Sequence, residues 1–110
     1  MSKTLAAAIA ARAAKFQGVA FPNELVYDAE IEAHEWRWIP HYVADELSAV
    51  SKGVLEYWEC SRFGAHGVIE GVGPIATSRP KQLMINHDGR AYLRTSSGSV
   101  YELGAELELF

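Results

Sequence analysis

Residues 83–103 read LMINHDGRAYLRTSSGSVYEL, in which two polar turn signals separate three short apolar runs. The first signal, Asp88-Gly89, is typical of a two-residue type I′ hairpin turn, because both central residues of that turn need positive φ. A turn of this kind fixes the register of the two strands that it joins. It predicts that Ile85 pairs with Tyr92 and that Leu83 pairs with Arg94.

The second turn signal, Ser97-Gly98, predicts a further hairpin with a turn of two or four residues. Combined with the first register, this hairpin places Tyr101 opposite Arg94 and Leu103 opposite Tyr92. Residues that face one another across antiparallel strands share a side of the sheet. The sequence therefore predicts one apolar face that covers the helices, with the stem of Arg94 packed beside it. That face consists of Leu83, Ile85, Tyr92, Tyr101 and Leu103.

The rest of the C-terminal half has the same character. From Gly64 to Phe110, glycines at positions 64, 67, 71 and 73 and short apolar runs alternate, which is typical of an antiparallel meander. Residues 106–110 alternate glutamate with apolar side chains. They predict a last edge strand whose outward glutamates discourage further pairing.

The N-terminal end predicts a helix over residues 2–17, with Ser2 as its cap and Gly18 just beyond its end. Its apolar residues recur at helical spacing: Leu5, Ile9, Ala13 and Phe16. A second, central helix is predicted over Val43–Arg62, with Asp45 as N-cap. Its apolar residues are spaced by four, three, four and three: Val43, Leu47, Val50, Val54 and Tyr57.

Gly53 lies in the middle of this predicted central helix. A glycine there costs about 1 kcal/mol relative to alanine. Its presence indicates that another element packs close to that side of the chain.

Residues 21–42 fit two periods. A helix capped by Asn23 aligns four carboxylates in one stripe, those of Glu24, Asp28, Glu32 and Glu35. A strand fits as well, because residues 27–34 alternate strictly with Tyr27, Ala29, Ile31 and Ala33 inward. Alanine and glutamate favour the helix slightly, whereas Pro40 favours an extended chain over residues 36–39. The choice between helix and strand for residues 23–38 stays open.

These elements predict a single globular domain over residues 1–110, helical in its first half and a β-meander in its second. The fold class is α+β, with two or three helices packed on one face of a three- to five-stranded antiparallel sheet. A chain of 110 residues with 49% hydrophobic and 22% charged residues is typical of one packed domain.

Charge and cysteine content exclude several classes of protein. A net charge of −4 argues against a protein that coats phosphate backbone, so we do not expect direct nucleic-acid binding. One cysteine, Cys60, excludes an intramolecular disulfide and fits a reducing compartment. The longest apolar run, Leu5–Ala11, is too short to span a bilayer. We therefore expect a cytoplasmic protein without a membrane partner, and leave homo-oligomerisation open.

Catalytic signatures are absent from the sequence. The histidines at positions 34, 41, 66 and 87 and Cys60 have no metal-ligand spacing, so we predict no metal, no cofactor and no catalytic residue. Cys60 would lie near a helix C-terminus, where the dipole disfavours a thiolate, which predicts a buried structural thiol. Gly71 and Gly73 lack a following Gly-Lys-Ser/Thr and indicate turns rather than a phosphate loop.

One stretch carries the features of a contact surface. No cation occurs between Lys15 and Arg37, and the carboxylates there precede two tryptophans. Carboxylates steer association with basic surfaces, while tryptophan and arginine dominate interface hot spots. The predicted partner-binding residues are Glu24, Asp28, Glu32, Glu35, Trp36, Arg37 and Trp38. In an extended segment both tryptophans point one way, so either they contact the partner or they are core and Arg37 is the exposed contact.

We therefore expect a small acidic non-enzymatic binding protein whose partner is a protein or nucleoprotein complex with a basic surface. By analogy of type, phage and mobile-element inhibitors such as anti-CRISPR proteins offer carboxylates where phosphates would bind. The alternatives are a toxin-immunity partner, a winged-helix DNA-binding regulator and, last, a small enzyme with two histidines in a deep pocket. The regulator would use a basic hairpin made of Arg79, Lys81, Arg90 and Arg94, but its acidic recognition helix would repel phosphate.

Overall fold

Most of the chain builds one sheet with a helix on each side. The computed structural model describes residues 5–17, 25–28 and 34–107, except for the side chains of residues 16, 25–28 and 34. Within these ranges there are two helices, α1 (Leu5–Phe16) and α2 (His41–Val50). The strands are β1 (Leu25–Asp28), β2 (His34–Trp38), β3 (Val54–Ser61), β4 (Gly64–Ile69), β5 (Gly73–Ala76), β6 (Pro80–Ile85), β7 (Ala91–Thr95) and β8 (Val100–Leu103).

The described strands form one mixed sheet in the order β1-β2-β6-β7-β8-β3-β4-β5. Strands β6, β7 and β8 form a meander at the centre of the sheet. Strands β4 and β5 form a separate hairpin beyond β3, so the meander predicted over residues 64–110 is only partly right. The pairs β2 with β6 and β3 with β8 are parallel, and the other neighbours are antiparallel. The α+β class and the helix number are confirmed. The predicted three- to five-stranded antiparallel sheet is only partly right, because residues 25–28, 34–38 and 54–61 add strands to it and two of the strand pairs are parallel.

Both turns of the meander are three-residue loops. In the first, Asn86 N donates to Arg90 O at 3.1 Å, and Gly89 N donates to Asn86 O at 3.1 Å. Gly89 has φ 92°, whereas Tyr57 is the only non-glycine residue in the described ranges with positive φ. This is a type I turn followed by a left-handed glycine, so the predicted type I′ turn at Asp88-Gly89 is wrong.

The second turn repeats the first. Thr95 N donates to Ser99 O at 2.9 Å, Gly98 N donates to Thr95 O at 2.9 Å, and Gly98 has φ 88°. A three-residue loop, in place of a predicted loop of two residues in the first hairpin and of two or four in the second, shifts the register of each hairpin by one. The observed cross-strand rows are Leu83–Leu93–Tyr101, Ile85–Ala91–Leu103 and Met84–Tyr92–Glu102.

The register shift moves Tyr92 to the opposite side of the sheet from Leu83, Ile85 and Leu103. The prediction was therefore wrong to place Tyr92 on the same face as the other four residues. It was also wrong in expecting only one face of the sheet to be buried. One core packs on α1 and contains Leu5, Ile9, Trp36, Trp38, Leu55, Trp58, Leu83, Ile85, Leu93, Tyr101 and Leu103. The other packs on α2 and contains Ile39, Ala44, Leu47, Met84, Tyr92 and Val100. The helices thus cover opposite faces, not one face as predicted.

The predicted central helix over Val43–Arg62 is wrong in its second half. Helix α2 begins after Pro40, which is its N-cap in place of Asp45, and ends at Val50. Gly53 then adopts φ 135°, and a Cβ there would lie 2.8 Å from Ile69 Cγ2. Another element does pack close to Gly53, as predicted, and that element is β4. Gly53 itself, however, lies in the turn that follows α2 and not in the middle of a helix.

Residues 21–42 contain no described helix apart from the first two residues of α2. Strands β1 and β2 pair antiparallel, with Tyr27 opposite Glu35 and Asp28 opposite His34. The slight preference for a helix was therefore wrong for residues 25–28 and 34–35. The extended conformation expected before Pro40 is confirmed. Residues 18–24 and 29–33 lie outside the described residues.

The first helix is confirmed over Leu5–Phe16, while Ser2 and Gly18 lie outside the described residues. Its first turn is held by Glu106, whose carboxylate accepts hydrogen bonds from Leu5 N at 3.3 Å and Ala6 N at 3.0 Å. A carboxylate at that position satisfies orphan N–H groups and complements the helix dipole. The C-terminal segment therefore fixes α1 onto the sheet.

The C-terminal residues predicted to form an edge strand do not lie at an edge of the sheet in their described part. Trp58 N donates to Ala105 O and Leu107 N donates to Trp58 O, so residues 105–107 continue alongside β3. They lie inside the sheet order rather than at an edge. Residues 108–110 are outside the described residues.

Replacing Gly89 by valine is expected to lower the free energy of unfolding by more than about 1 kcal/mol, because a β-branched residue is strained in the left-handed region. A Cβ at Gly89 meets nothing within 4 Å, so strain alone is measured. Gly89→Asn is the matched control, since asparagine tolerates that conformation. Chemical denaturation reports both values. An unchanged midpoint for the valine variant would contradict the described turn.

Candidate protein-binding surface

The aromatic segment of β2 is core on one side and exposed on the other. Trp36 and Trp38 are 0% and 2% exposed, whereas Arg37 is exposed. Alternation along the strand requires this division. Of the two orientations that the sequence allowed, the inward one for the tryptophans is present. The guanidinium of Arg12 on α1 lies 5.3 Å from the Trp36 ring centroid, which adds a cation–π contact to the core.

The predicted carboxylate stripe depended on a helix that the described residues do not form. Asp28 and Glu35 lie on β1 and β2, one register step apart, and Glu35 is exposed. Glu24, Glu32 and the side chain of Asp28 are outside the described structure. The structure therefore brings no two of these four carboxylates together in its described part.

A different element presents apolar side chains to solvent. The hairpin formed by β3 and β4, residues 54–69, carries four of the exposed large hydrophobic residues found in the described structure. These are Val54 at 38%, Tyr57 at 63%, Phe63 at 67% and Val68 at 37% exposure. Large exposed apolar groups gathered on one element mark an interaction surface more often than single scattered ones do.

The register explains why this side of the hairpin is open. Leu55 pairs with Ile69, and both belong to the core that packs on α1. Val54 and Val68 point to the other side, where α2 lies farther along the sheet against β7 and β8. Neither described helix covers that side of β3 and β4.

Tyr57 has the most unusual backbone conformation in this hairpin. It has φ 51°, a left-handed conformation that a tyrosine rarely adopts, and it sits where the β3–β4 register shifts between Glu56 and Glu59. This β-bulge lets both Leu55 and Trp58 enter the core although they are three residues apart. A strained backbone of this kind costs about 1–3 kcal/mol and is concentrated at functional sites.

Acidic groups accompany the apolar ones. Glu59 is half-exposed beside His66, with 3.8 Å between Oε2 and Nε2. Glu56 uses its carboxylate to accept a hydrogen bond from Ala105 N at 2.9 Å. At the tip, the Arg62 guanidinium stacks over Phe63 at 5.0 Å. The hairpin thus combines two carboxylates, one arginine and two exposed aromatic rings.

The pattern of apolar and polar residues in the sequence does not reveal this surface. Residues 54–57 were assigned to a helix whose buried stripe included Val54 and Tyr57, the two residues that the structure exposes. The spacing of Leu55 and Trp58 by three is equally typical of a helix and of a bulged strand. Only the cross-strand pairing decides between them.

The chemistry of Cys60 argues against nucleophilic catalysis. It lies on β3, not at the predicted helix end, and is half-buried. Burial, with a smaller contribution from the Glu106 carboxylate, raises the pKa of the Cys60 thiol from 9.0 to about 12. A thiol with that pKa stays protonated at neutral pH and is a poor nucleophile.

Two cavities lie against the described residues, and no histidine lines either of them. One, of about 150 Å³ between α1 and the sheet, is lined mainly by apolar residues such as Ile9, Trp58 and Leu103. A groove of about 280 Å³ beside α2 is lined in part by Arg37, Gln82 and Arg94. His41 and His87 approach each other, but neither lines these cavities.

The predicted basic hairpin is divided by the structure. Arg79 and Lys81 are exposed, whereas Arg90 donates to Asp45 Oδ1 at 2.7 Å and Arg94 is half-buried in the groove beside α2. Arg94 faces the α2 side rather than the predicted core. The two described helices lie on opposite faces of the sheet, so they do not form the adjacent pair that a winged helix requires.

Comparison of the chain with family models, curated proteins and solved structures found no match. Neither α1 nor α2 is long and apolar enough to cross a membrane. Any function must therefore be argued from the surface itself.

The orientation of β2 gives a direct test. Trp36→Ala and Trp38→Ala are each expected to lower the free energy of unfolding by about 3–5 kcal/mol, because each removes a buried indole. Arg37→Ala is the control on the same strand, and its effect is expected to stay within about 0.5 kcal/mol. Thermal and chemical denaturation measure all three. Equal stability of the three variants would contradict the described burial.

Proposed function

We propose that this protein is a non-enzymatic binding protein that acts on a protein or nucleoprotein complex with a basic surface. Its main contact is the outward side of the β3–β4 hairpin, residues 54–69. The inhibitory role expected from the sequence is one way in which such contact would act, by occupying a surface that otherwise binds phosphates. The observation that carries the proposal is the exposed Tyr57 at φ 51°.

The argument from Tyr57 is energetic. An exposed tyrosine at positive φ contributes little to the core, yet its backbone conformation opposes folding. Glycine or asparagine would satisfy the same bulge with less strain. Tyrosine supplies a large, rigid contact area at a low entropic cost, which is why it is enriched among hot-spot residues. A partner that covers the ring accounts for the presence of tyrosine.

The surrounding charges support a basic partner. Glu59 lies on the same hairpin, and the chain carries a net charge of −4. Complementary potentials raise the association rate and select the correct partner. Arg62 over Phe63 at the hairpin tip adds an arginine–aromatic pair of the kind that anchors interfaces. The carboxylates predicted from sequence, Glu24, Asp28, Glu32 and Glu35, remain a proposed second contact, together with exposed Arg37.

Tyr57→Asn is expected to weaken partner binding by about 2 kcal/mol or more while leaving stability unchanged or higher, because asparagine keeps the left-handed backbone and removes the ring. Tyr42→Asn is the matched control, since Tyr42 is a 68% exposed tyrosine on α2, away from the hairpin. Tagged wild-type protein and both variants are used to capture partners from native lysate, followed by mass spectrometry and affinity measurement.

A partner retained by wild type and Tyr42→Asn but lost with Tyr57→Asn is the expected result. If Tyr57→Asn retains every partner with unchanged affinity, the hairpin is not the contact. Unfolding of Tyr57→Asn would instead show that the tyrosine is structural, which also contradicts the proposal.

The electrostatic part of the proposal is tested separately. Changing Glu59 to glutamine is expected to slow association with the captured partner and to flatten its dependence on salt, because the steering charge is lost. The same change at Glu24, Asp28, Glu32 and Glu35 together measures the second contact. Stopped-flow or surface plasmon resonance measurements at low and high salt give the association rate of each variant and its dependence on salt. Rates unchanged at low salt in both variants would exclude electrostatic steering by these carboxylates.

A further inference from the structure

The groove beside α2 brings together two arginines that are distant in the sequence. Arg37 comes from β2 and Arg94 from β7, and β6 lies between those two strands. Since neighbouring strands are about 4.8 Å apart, the two backbones are separated by about 10 Å across the sheet. The two long side chains therefore reach the groove from strands on either side of β6.

The register explains why both arginines point to the same side of the sheet. Met84 on β6 pairs with Arg37 on β2 and with Tyr92 on β7, and the last of these packs with Met84 against α2. Arg94 follows Tyr92 by two residues. It pairs with Gln82, which precedes Met84 by two residues. Side chains two residues apart along a strand share a face, so the arginines and the glutamine all lie on the α2 side.

The described residues provide no counter-ion for either arginine. Among them, neither guanidinium forms an ion pair or donates a hydrogen bond. Glu35 on β2 and Glu46 on α2 are exposed, and neither lines the groove. Arg94 is half-buried, and a charge that is partly removed from water lowers stability unless an opposite charge compensates it. A bound anion supplies that compensation.

The rest of the groove combines apolar and polar groups. Val43, Leu47 and Met84 contribute apolar side chains to its lining. Tyr42, which also lines it, is 68% exposed and offers a ring to a ligand. Gln82 lies on the strand between the two arginines, and its side-chain amide adds a hydrogen-bond donor. These groups fit a ligand that has an anionic group and an apolar body.

Two guanidinium groups fit an anion with two charges. The planar fork of arginine matches the oxygens of phosphates and carboxylates. A phosphate monoester carries roughly −1.5 to −2 charge at pH 7, whereas a single carboxylate carries one negative charge. The groove, at about 280 Å³, is just below the range of about 300–1,000 Å³ that is typical of ligand sites, so the ligand is small.

We propose that the groove beside α2 binds a small phosphate monoester with an apolar or aromatic body. Arg37 and Arg94 bind the phosphate, and Tyr42 packs against the body. This site goes beyond the proposed contact on the β3–β4 hairpin, because β8 lies between β7 and that hairpin in the sheet order. Arg37 belongs to both proposals, so the test measures a small ligand without a protein partner. Failure of the site therefore leaves the proposed function untouched.

Calorimetric titration of the purified protein with phenyl phosphate tests the proposal. Wild type is expected to bind one molecule per chain. Arg37→Gln and Arg94→Gln should each weaken binding about tenfold or more, because each removes charge-assisted hydrogen bonds. Arg62→Gln is the matched control, since Arg62 is an exposed arginine beside an aromatic ring on another hairpin. Tyr42→Asn should weaken the binding of phenyl phosphate but not of inorganic phosphate, which has no ring to pack.

Two further ligands test the charge and the source of the phosphate. Phenyl sulfate has nearly the same shape but one negative charge, so it should bind about tenfold more weakly. A short phosphotyrosine peptide carries the same aryl phosphate within a peptide chain. It should bind no more tightly than phenyl phosphate, because the proposed contacts are all made by the aryl phosphate.

A second measurement on wild type keeps the test decisive if Arg94→Gln folds poorly. In two-dimensional NMR, phenyl phosphate is expected to shift the side-chain amide signal of Gln82 and to leave the backbone amide signal of Arg62 unchanged. The absence of any shift at Gln82 contradicts the site.

The titrations can also overturn the proposal in other ways. Unchanged affinity in Arg37→Gln and Arg94→Gln excludes the site. A loss in Arg62→Gln as large as theirs excludes it too, since that result shows only general attraction to exposed arginines. Equal affinity for phenyl sulfate overturns the choice of a doubly charged ligand, and tighter binding of the phosphopeptide overturns the choice of a small one.

Discussion

The hydrogen bonds of buried Asn86 are the constraint on which the rest of the structure depends. Its backbone N–H donates to Arg90 O, its carbonyl accepts from Gly89 N, and its side-chain oxygen accepts from Arg90 N. These bonds force three residues into the turn and so fix the register of β6 against β7. Thr95, the other buried polar residue of the described structure, repeats the two backbone hydrogen bonds and fixes β7 against β8, while its hydroxyl donates to Ser99 O.

This register matters because the centre of the sheet is buried on both sides. A slip by one residue would exchange the side chains that meet α1 with those that meet α2. Met84 and Tyr92 would then replace Leu83 and Leu93 against the tryptophans. Among the described helices only α1 covers the sheet beyond β8, since α2 is ten residues long and packs against β7 and β8. The open side of the β3–β4 hairpin is the consequence, and there the proposed contact lies.

The sequence predicts those parts of the fold that depend on local pattern. The first helix, the three strands of the meander and the extended segment before Pro40 follow from periodicity and from proline chemistry. The turn type does not, because Asp88-Gly89 fits both a two-residue and a three-residue loop. Residues 54–61 were mistaken for helix because the bulge at Tyr57 imitates helical spacing. The pairing of His41 with His87 depends on tertiary contacts that no local pattern encodes.

The register of the β6–β7 hairpin is the most direct test of this account. Because Asn86 and Arg90 share a backbone hydrogen bond, the next pair, Ile85 and Ala91, is of the non-hydrogen-bonded type, with Cα atoms about 4.5 Å apart. Solution NMR is expected to show strong Hα–Hα contacts between Ile85 and Ala91 and between Leu83 and Leu93. Hα–Hα contacts between Asn86 and Ala91 and between Met84 and Leu93, the non-hydrogen-bonded pairs of the two-residue turn, would instead establish that turn and contradict the two-sided core.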